Sequence, residues 1–343
     1  MQVGLVITVL GLCLANTGRA YAQAQSQPSQ QTDDVIRVTT TLVTLPVRVT
    51  DRHGKSVPTL TREQFQIFED GVEQEIAFFE PGDSDSPATS LPLIVALLLD
   101  VSDSTQFKLE QIQNTAIAFL DLLRPSDKVV VVAFDKQVSI LTVATENRDV
   151  LRAAIRRTKA GGGTSLYQAL VSTIKLLNRT TGRKAIIVLT DGVDTSSTDV
   201  KWETVLREVE SSHVTIYPIQ YHTLGDFAES STREAYAVGE FGRTAHVTKG
   251  GEPASEAYGR ATRYLRLLAE KTSGSFQYSD KASNLARSFE RLASQLRQQY
   301  TIGYYPKNKT TTGTRKVSVK VHLRDLKIST RKSYTYRITP SQN

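Results

Sequence analysis

The stretch Leu93-Ile94-Val95-Ala96-Leu97-Leu98-Leu99-Asp100-Val101-Ser102-Asp103-Ser104 decides the fold. Its first seven residues are an unbroken apolar run, the pattern of a β-strand covered on both faces, and the run stops on a carboxylate. Downstream, Leu109, Ile112, Ala116, Phe119 and Leu123 recur at three- and four-residue steps, which predicts a helix that Pro125 ends. Lys128–Phe134 reads as a second buried strand. Val138–Val143 then returns antiparallel after a tight turn at Asp135-Lys136. Ile186–Leu189 and Val214–Ile219 are further core strands, with helices near 166–178 and 200–211 between them. Phe276–Tyr278 is a short last strand, and Leu285, Phe289, Leu292 and Leu296 mark a closing helix over 282–298. Strands alternating with helices imply the α/β class, with a doubly wound, mostly parallel sheet.

The flanks have a different character. Before the α/β region, β-branched residues dominate from Ile36 to Val49, and short strands follow near Phe65–Glu69 and Glu75–Phe79, joined by a turn at Asp70-Gly71. After it, Tyr300–Tyr305, Lys316–Leu323 and Ser333–Ile338 again read as strands. Three strands on either side are too few for two independent sheets. The expectation is therefore one β-sandwich-like module, in which the segment 300–340 pairs with 34–82 and the α/β domain of 90–299 is inserted between them.

Val3 to Ala15 is an apolar run of signal-peptide length, and Ala20-Tyr21-Ala22 is a pattern suited to signal peptidase. Residues 1–22 are expected to be a signal peptide cleaved between Ala22 and Gln23, with a retained membrane anchor as the other reading. The polar residues 23–33 would form a disordered leader. On the first reading the chain is secreted or lies in the periplasm or cell envelope, with no transmembrane segment after cleavage. Cys13, the only cysteine, falls inside the signal, so the mature chain would have no disulfide, cysteine-based zinc site or thiol catalysis. The net charge of +7 is concentrated late in the chain. Its basic residues interleave with Val319, Val321, Leu323 and Ile328 and read as a solvated strand face. An acidic polymer or membrane surface is the other reading. No nucleic-acid motif accompanies the charge, and a nucleic-acid partner is not expected.

The chemistry-bearing residues sit at strand ends. Asp100, Ser102 and Ser104 follow the strand 93–99 in a D-x-S-x-S spacing, Thr164 follows Gly161-Gly162-Gly163, and Asp191 ends Leu189-Thr190-Asp191. In open α/β sheets the crevice at the carboxyl ends of the strands is where ligands bind. Two carboxylates and three hydroxyls are hard oxygen donors of the kind Mg²⁺ selects, and they leave about one octahedral position open.

These three fragments, in this order, resemble the metal-ion-dependent adhesion site (MIDAS) of von Willebrand factor A (vWA) domains, over about residues 90–300. The resemblance implies Asp100, Ser102, Ser104, Thr164 and Asp191 as ligands of Mg²⁺ (or Mn²⁺). It also implies an Asp or Glu carboxylate of a partner protein as the last coordinating group. The stretches Val47–Gly54, Phe65–Gly71 and Gln299–Pro306 are similar to bacterial exported VWFA-related proteins. Either serine taken alone also fits a helix N-cap, and Asp191-Gly192 alone fits a simple turn.

The expected function is thus an exported, metal-dependent protein-binding module of adhesion type, not an enzyme. The alternative is a structural or assembly component of a cell-surface complex whose metal only stabilises the fold. A haloacid-dehalogenase-like phosphatase is the remote alternative, but it wants an acid/base carboxylate two residues after the nucleophile, where this chain has Ser102. A long polar, glycine-rich segment from about Thr223 to Glu256 is expected to frame the ligand, with Phe227, Tyr236 or Phe241 as anchors.

Overall fold

The structure is a computed structural model that describes residues 42–82, 92–221, 236–238, 244–246, 253–279, 282–308 and 311–336. The proposed signal, the leader, the start of the strand expected from Ile36, and Phe227 and Phe241 lie outside the described residues.

Four strands precede the α/β unit: β1 (Val43–Asp51), β2 (Phe65–Glu69), β3 (Val72–Gln74) and β4 (Ile76–Glu80). The unit itself runs through β5 (Leu93–Asp100), α1 (Leu109–Leu122), β6 (Lys128–Phe134), β7 (Val138–Ile140), α2 (Arg148–Arg156), α3 (Leu166–Asn178), β8 (Arg183–Thr190), α4 (Trp202–Ser211) and β9 (Val214–Tyr221). It continues through β10 (Tyr236–Val238), β11 (Thr244–His246), α5 (Ala254–Thr272), β12 (Gln277–Ser279) and α6 (Ala282–Gln298). Four strands follow: β13 (Tyr300–Tyr304), β14 (Gly313–Val321), β15 (Leu326–Ser329) and β16 (Ser333–Tyr336).

The central sheet has the order β12-β9-β8-β5-β6-β7, parallel except for β7. Residues of β5 alternate between two cores. Val95, Leu97 and Leu99 pack with α1, α2 and α6, whereas Ile94, Ala96 and Leu98 pack with α3, α4 and α5. Both faces are covered, which is why the run 93–99 has no polar alternation. The chain passes from β5 to β6 on one side and then to β8 on the other. The order therefore reverses between β5 and β8, the place where a doubly wound sheet opens a crevice.

The flanking strands form two four-stranded sheets, β15-β1-β13-β4 and β16-β14-β2-β3. Strands from before and after the α/β unit alternate in the first sheet and meet once in the second: β1 pairs with β13 and β2 with β14, both antiparallel. Val43, Leu45, Val47, Ile67, Ile302, Tyr300 and Val317 fill one core. Within it Glu69, 3% exposed, accepts from Tyr304, Tyr334 and Arg315 at 2.7, 2.6 and 2.6 Å. The sandwich-like module expected from the sequence is present, but with four strands on each side of the insertion. The turn at Asp70-Gly71 closes onto β3, not onto the strand expected at 75–79. Asp70 and Gly71 both have positive φ (48° and 84°), the geometry of a two-residue hairpin, so pairing resumes at Val72 and β4 crosses to the other sheet.

Helices α2 and α5 did not stand out in the sequence. The first is short and is capped by Asn147, whose side chain accepts from the amides of Asp149 and Val150. The second begins inside the segment read as a loop and packs with Ala257, Ala261, Tyr264, Leu265 and Leu268, a face whose first turns carry only alanine. The segment expected as a loop from Thr223 to Glu256 contains an antiparallel hairpin, with Tyr236 opposite His246, and helix α5 already begins at Ala254.

Polar locks join the sandwich to the base of the α/β unit. Arg183 binds Glu80 at 3.2 Å and the Leu296 carbonyl at 2.9 Å. Arg331 donates to the carbonyls of Ser212 and Val209 at the end of α4, where the helix dipole favours a cation.

Candidate metal centre

Asp100 is the last residue of β5 and is fully buried. Its Oδ1 accepts from the Ser102 amide (3.0 Å) and the Ser102 hydroxyl (2.6 Å), and its Oδ2 from the Thr190 hydroxyl (2.6 Å). Ser102 stands at the N-cap position of the short 3₁₀ turn 103–108, yet its side chain caps nothing. It turns instead toward Asp100 and lies 3.0 Å from the Ser104 hydroxyl. Ser104 in turn reaches Oδ2 of Asp191 at 2.9 Å. The helix-cap reading of these serines therefore fails for Ser102. The turn reading of Asp191-Gly192 holds alongside the site: the Val193 amide donates to Asp191 Oδ1, and Gly192 has φ +88°.

Four of the five residues singled out in the sequence are thus one hydrogen-bonded chain running from β5 to β8. The fifth, Thr164, is buried on the glycine loop. Its backbone carbonyl accepts from the Thr195 and Ser196 amides. Its loop is tied to β5 through the Gly161 amide on the Val101 carbonyl and a bridge between Ser102 and Gly161. Among the described residues its hydroxyl makes no hydrogen bond to the other four. Gly163 has φ +36°, a left-handed backbone that strains any side chain, and a Cβ there would also displace the Ser196 hydroxyl. Of the expected ligand-framing aromatics, Tyr236 falls on β10 of the insertion, and its side chain lies outside the described residues, as Phe227 and Phe241 do entirely.

Several residues that sequence reading left out support the site. Thr190 donates to Asp100 and accepts from the Gly192 amide, so it joins the two acidic loops. The Tyr258 hydroxyl, from α5, lies 3.3 Å from Asp191 Oδ2. Gln220 holds the Asp191 carbonyl and is itself held by Thr262. Tyr221 is buried with a hydroxyl that has no partner among the described residues, and its ionisation is suppressed by burial and by the nearby charges of Asp100 and Asp191. Thr190 carried a usable signal, since it ends a strand between two acidic loops. Tyr258 carried none, because nothing local in the sequence points it at a carboxylate 67 residues away.

Counting protons shows what this cluster lacks. The hydroxyls of Ser102, Ser104 and Thr190 make four mutual or carboxylate contacts with three protons between them. Burial, then the charge of Asp191, raises the Asp100 carboxyl to about 7, well above its ordinary range. Both features mark an electron-rich pocket that is short of one positive charge. Among the described residues no group of three or more His, Cys, Asp or Glu is assembled as a metal site. This donor set of two carboxylates and neutral hydroxyls therefore suits a hard dication and not zinc.

The chain is 28% identical over 172 residues to an uncharacterized protein of Synechocystis sp., which covers 47% of this chain and 39% of the relative. It thus spans well under half of that relative's length. Similar solved structures include the vWF domain of the type V pili tip protein Mfa5 from Porphyromonas gingivalis (14% identity, 61% of this chain and 96% of that one, TM-score 0.44). They also include a von Willebrand factor type A protein from Catenulispora acidiphila (13%, 79% and 72%, 0.45). The pilus adhesin SpaC from Lactobacillus rhamnosus GG is a third (11%, 80% and 43%, 0.44). A family model described as von Willebrand factor type A domain matches residues 95–193, a span that contains Asp100, Ser102, Ser104, Thr164 and Asp191. The α/β unit of this chain is a von Willebrand factor type A domain.

Proposed function

We propose that this chain is an exported, non-enzymatic protein-binding module that recognises an acidic side chain of a partner through a bound Mg²⁺. The proton-deficient cluster around Asp100 and Asp191 carries the reading. Two buried carboxylates facing each other across hydroxyls are costly unless a cation lies between them. Asp100, Ser102, Ser104, Thr164 and Asp191 would hold the ion, which would supply a Lewis-acidic point for a partner's carboxylate. Two anionic ligands around one dication leave the site near neutral, so a further carboxylate can approach without strong repulsion. The residues of the chain then act as a cradle: Thr190 fixes the direction of Asp100, and Ser104 and Tyr258 fix that of Asp191. No catalytic step is assigned, since the position two residues beyond Asp100 offers a hydroxyl that is already bound to Asp100. Placement outside the cytoplasm rests on the signal-like leader. Among the described residues no helix is long and apolar enough to cross a membrane.

Titration calorimetry of the full chain with Mg²⁺ and Mn²⁺ tests the metal. Binding by the wild type, lost in Asp191→Ala and weakened in Thr164→Ala, is the expected result, and no binding by the wild type overturns it. Mg²⁺-dependent capture of an Asp- or Glu-bearing partner, abolished by EDTA and by Thr164→Ala, tests adhesion. Metal that raises the melting temperature without any such capture would favour the purely structural role.

A further inference from the structure

The base of the α/β unit, remote from the strand ends that carry the metal centre, holds a second polar feature. A cavity of about 30 Å³ lies where the outer face of β1 and β13, opposite their own core, meets the starts of β8 and β9. A water needs about 10–15 Å³ on this scale, so the space suits two waters or one small ion. Its lining is rich in hydrogen-bond donors and cations: Arg183, Lys184, His213, Thr215, Tyr217 and Gln299. Arg183 is matched by Glu80. Lys184 and His213 have no carboxylate partner among the described residues, and neither have Arg48, whose charge reaches Tyr217, and the buried Arg331. Within the same residues, the Nδ1 of His213 and the Nε of Arg48 are buried without a hydrogen-bond partner. Buried unpaired cations and donors are costly, and native structures satisfy them with a counter-charge or ordered solvent.

We propose that this cavity is a binding site for a small inorganic anion, held among Lys184, His213 and Arg183, which seats the β-sandwich on the base of the vWA domain. The local field supports it. Burial and the charges of Arg331 and Lys184 push His213 down to about 4, and burial pulls Lys184 below its usual value with no acid to oppose it. An anion here would neutralise the excess positive charge and give the His213 Nδ1 a partner. The inference does not depend on the metal reading, because the two sites lie at opposite ends of the same parallel strands.

The test is thermal melting of the full chain in EDTA, at constant ionic strength set with gluconate, while chloride, sulfate or phosphate is substituted in turn. A bound anion multiplies the folding constant by one plus its concentration over its dissociation constant, about elevenfold at ten times that constant, so stabilisation rises with the logarithm of concentration. Excluded sulfate or phosphate stabilises in proportion to concentration and does so in any variant. The expected result is a logarithmic response to at least one of the three, lost in Lys184→Met and kept in Lys184→Arg. The proposal is overturned if the wild type shows no such logarithmic response, so that the cavity holds water only. It is overturned equally if Lys184→Met responds as the wild type does. Should Lys184→Met not fold, calorimetric titration of phosphate and the chloride-35 line width, each on the wild type and on His213→Gln, decide the matter. Binding absent from the wild type, or unchanged in His213→Gln, refutes it.

Discussion

Replacing Thr190 by valine removes one hydroxyl from a nearly isosteric side chain that is fully buried, and two contacts go with it. The donation to Asp100 Oδ2 at 2.6 Å is a hydrogen bond to a carboxylate, of a kind that contributes about 1.5–3 kcal/mol. The Gly192 amide, 2.9 Å from the same oxygen, would be left buried without an acceptor, at a cost of about 1–3 kcal/mol. Together Thr190→Val should destabilise the metal-free protein by about 3–5 kcal/mol at pH 8, above the raised value of about 7 for Asp100. Thr190→Ser keeps the hydroxyl and deletes only a methyl group, so about 1 kcal/mol is expected. Urea unfolding followed by circular dichroism in EDTA measures the difference. With a slope of ~3 kcal/mol per molar, the valine variant should unfold at a midpoint lower by on the order of 1 M. Valine and serine variants within about 0.5 kcal/mol of each other would refute the claim that this hydroxyl joins the two acidic loops.

Two further outcomes concern the base of the domain. Arg183→Met removes the guanidinium 3.2 Å from Glu80, which is 3% exposed, and should cost about 3–5 kcal/mol in urea unfolding; adding Glu80→Gln should restore most of it, and an unrestored double variant would count against the ion pair as the cause. His213 is held at about 4, below its ordinary 6.5, so the fold favours its neutral form: its contribution is complete above pH 6.5 and is lost as pH falls toward 4. In a buffer free of small anions this should remove about 2 kcal/mol between pH 7 and pH 5, a slope that His213→Gln should flatten and that an equal slope in the variant would disprove.

The architecture was legible wherever burial writes itself into a run of residues. Leu93–Leu99 announced a strand covered on both sides, and Leu285, Phe289, Leu292 and Leu296 announced a helix, because large apolar side chains keep a fixed period only where a core buries them. The place of the candidate site was legible for a related reason: its oxygen donors directly follow apolar strands, at the ends where an open sheet leaves a crevice. Helix α5 was not legible, since it starts inside the polar, glycine-rich segment read as a loop and its first buried positions, Ala254, Ala257 and Ala261, are small. Its contribution depends on close approach, with Ala261 and Leu265 packed on Gly192, where a Cβ would lie 2.8 Å from Leu265 Cδ1. Long-range partners were equally hidden. Nothing near Arg331 foretells that it binds carbonyls at the end of α4, 119 residues earlier, because tertiary proximity leaves no local trace. The serines show the limit from the other side: their sequence fits a cap as well as a ligand, and only the structure shows that the Ser102 side chain caps nothing.

The pairing of β4 with β13 sets Glu80 opposite Thr301, so the vWA domain leaves and rejoins the sandwich at neighbouring points of one ladder. A pull applied at residues 42 and 336 would load the sandwich strands, while the inserted domain, hung from two adjacent anchor points, would carry little of the tension. Traction on the strand-end face would instead load the inserted domain directly and pass through those two anchors and the Arg183 and Arg331 locks into the sheet. The molecule is built like a clasp on a strap: stretching the strap leaves the clasp slack, and only a load hooked on the clasp itself strains it.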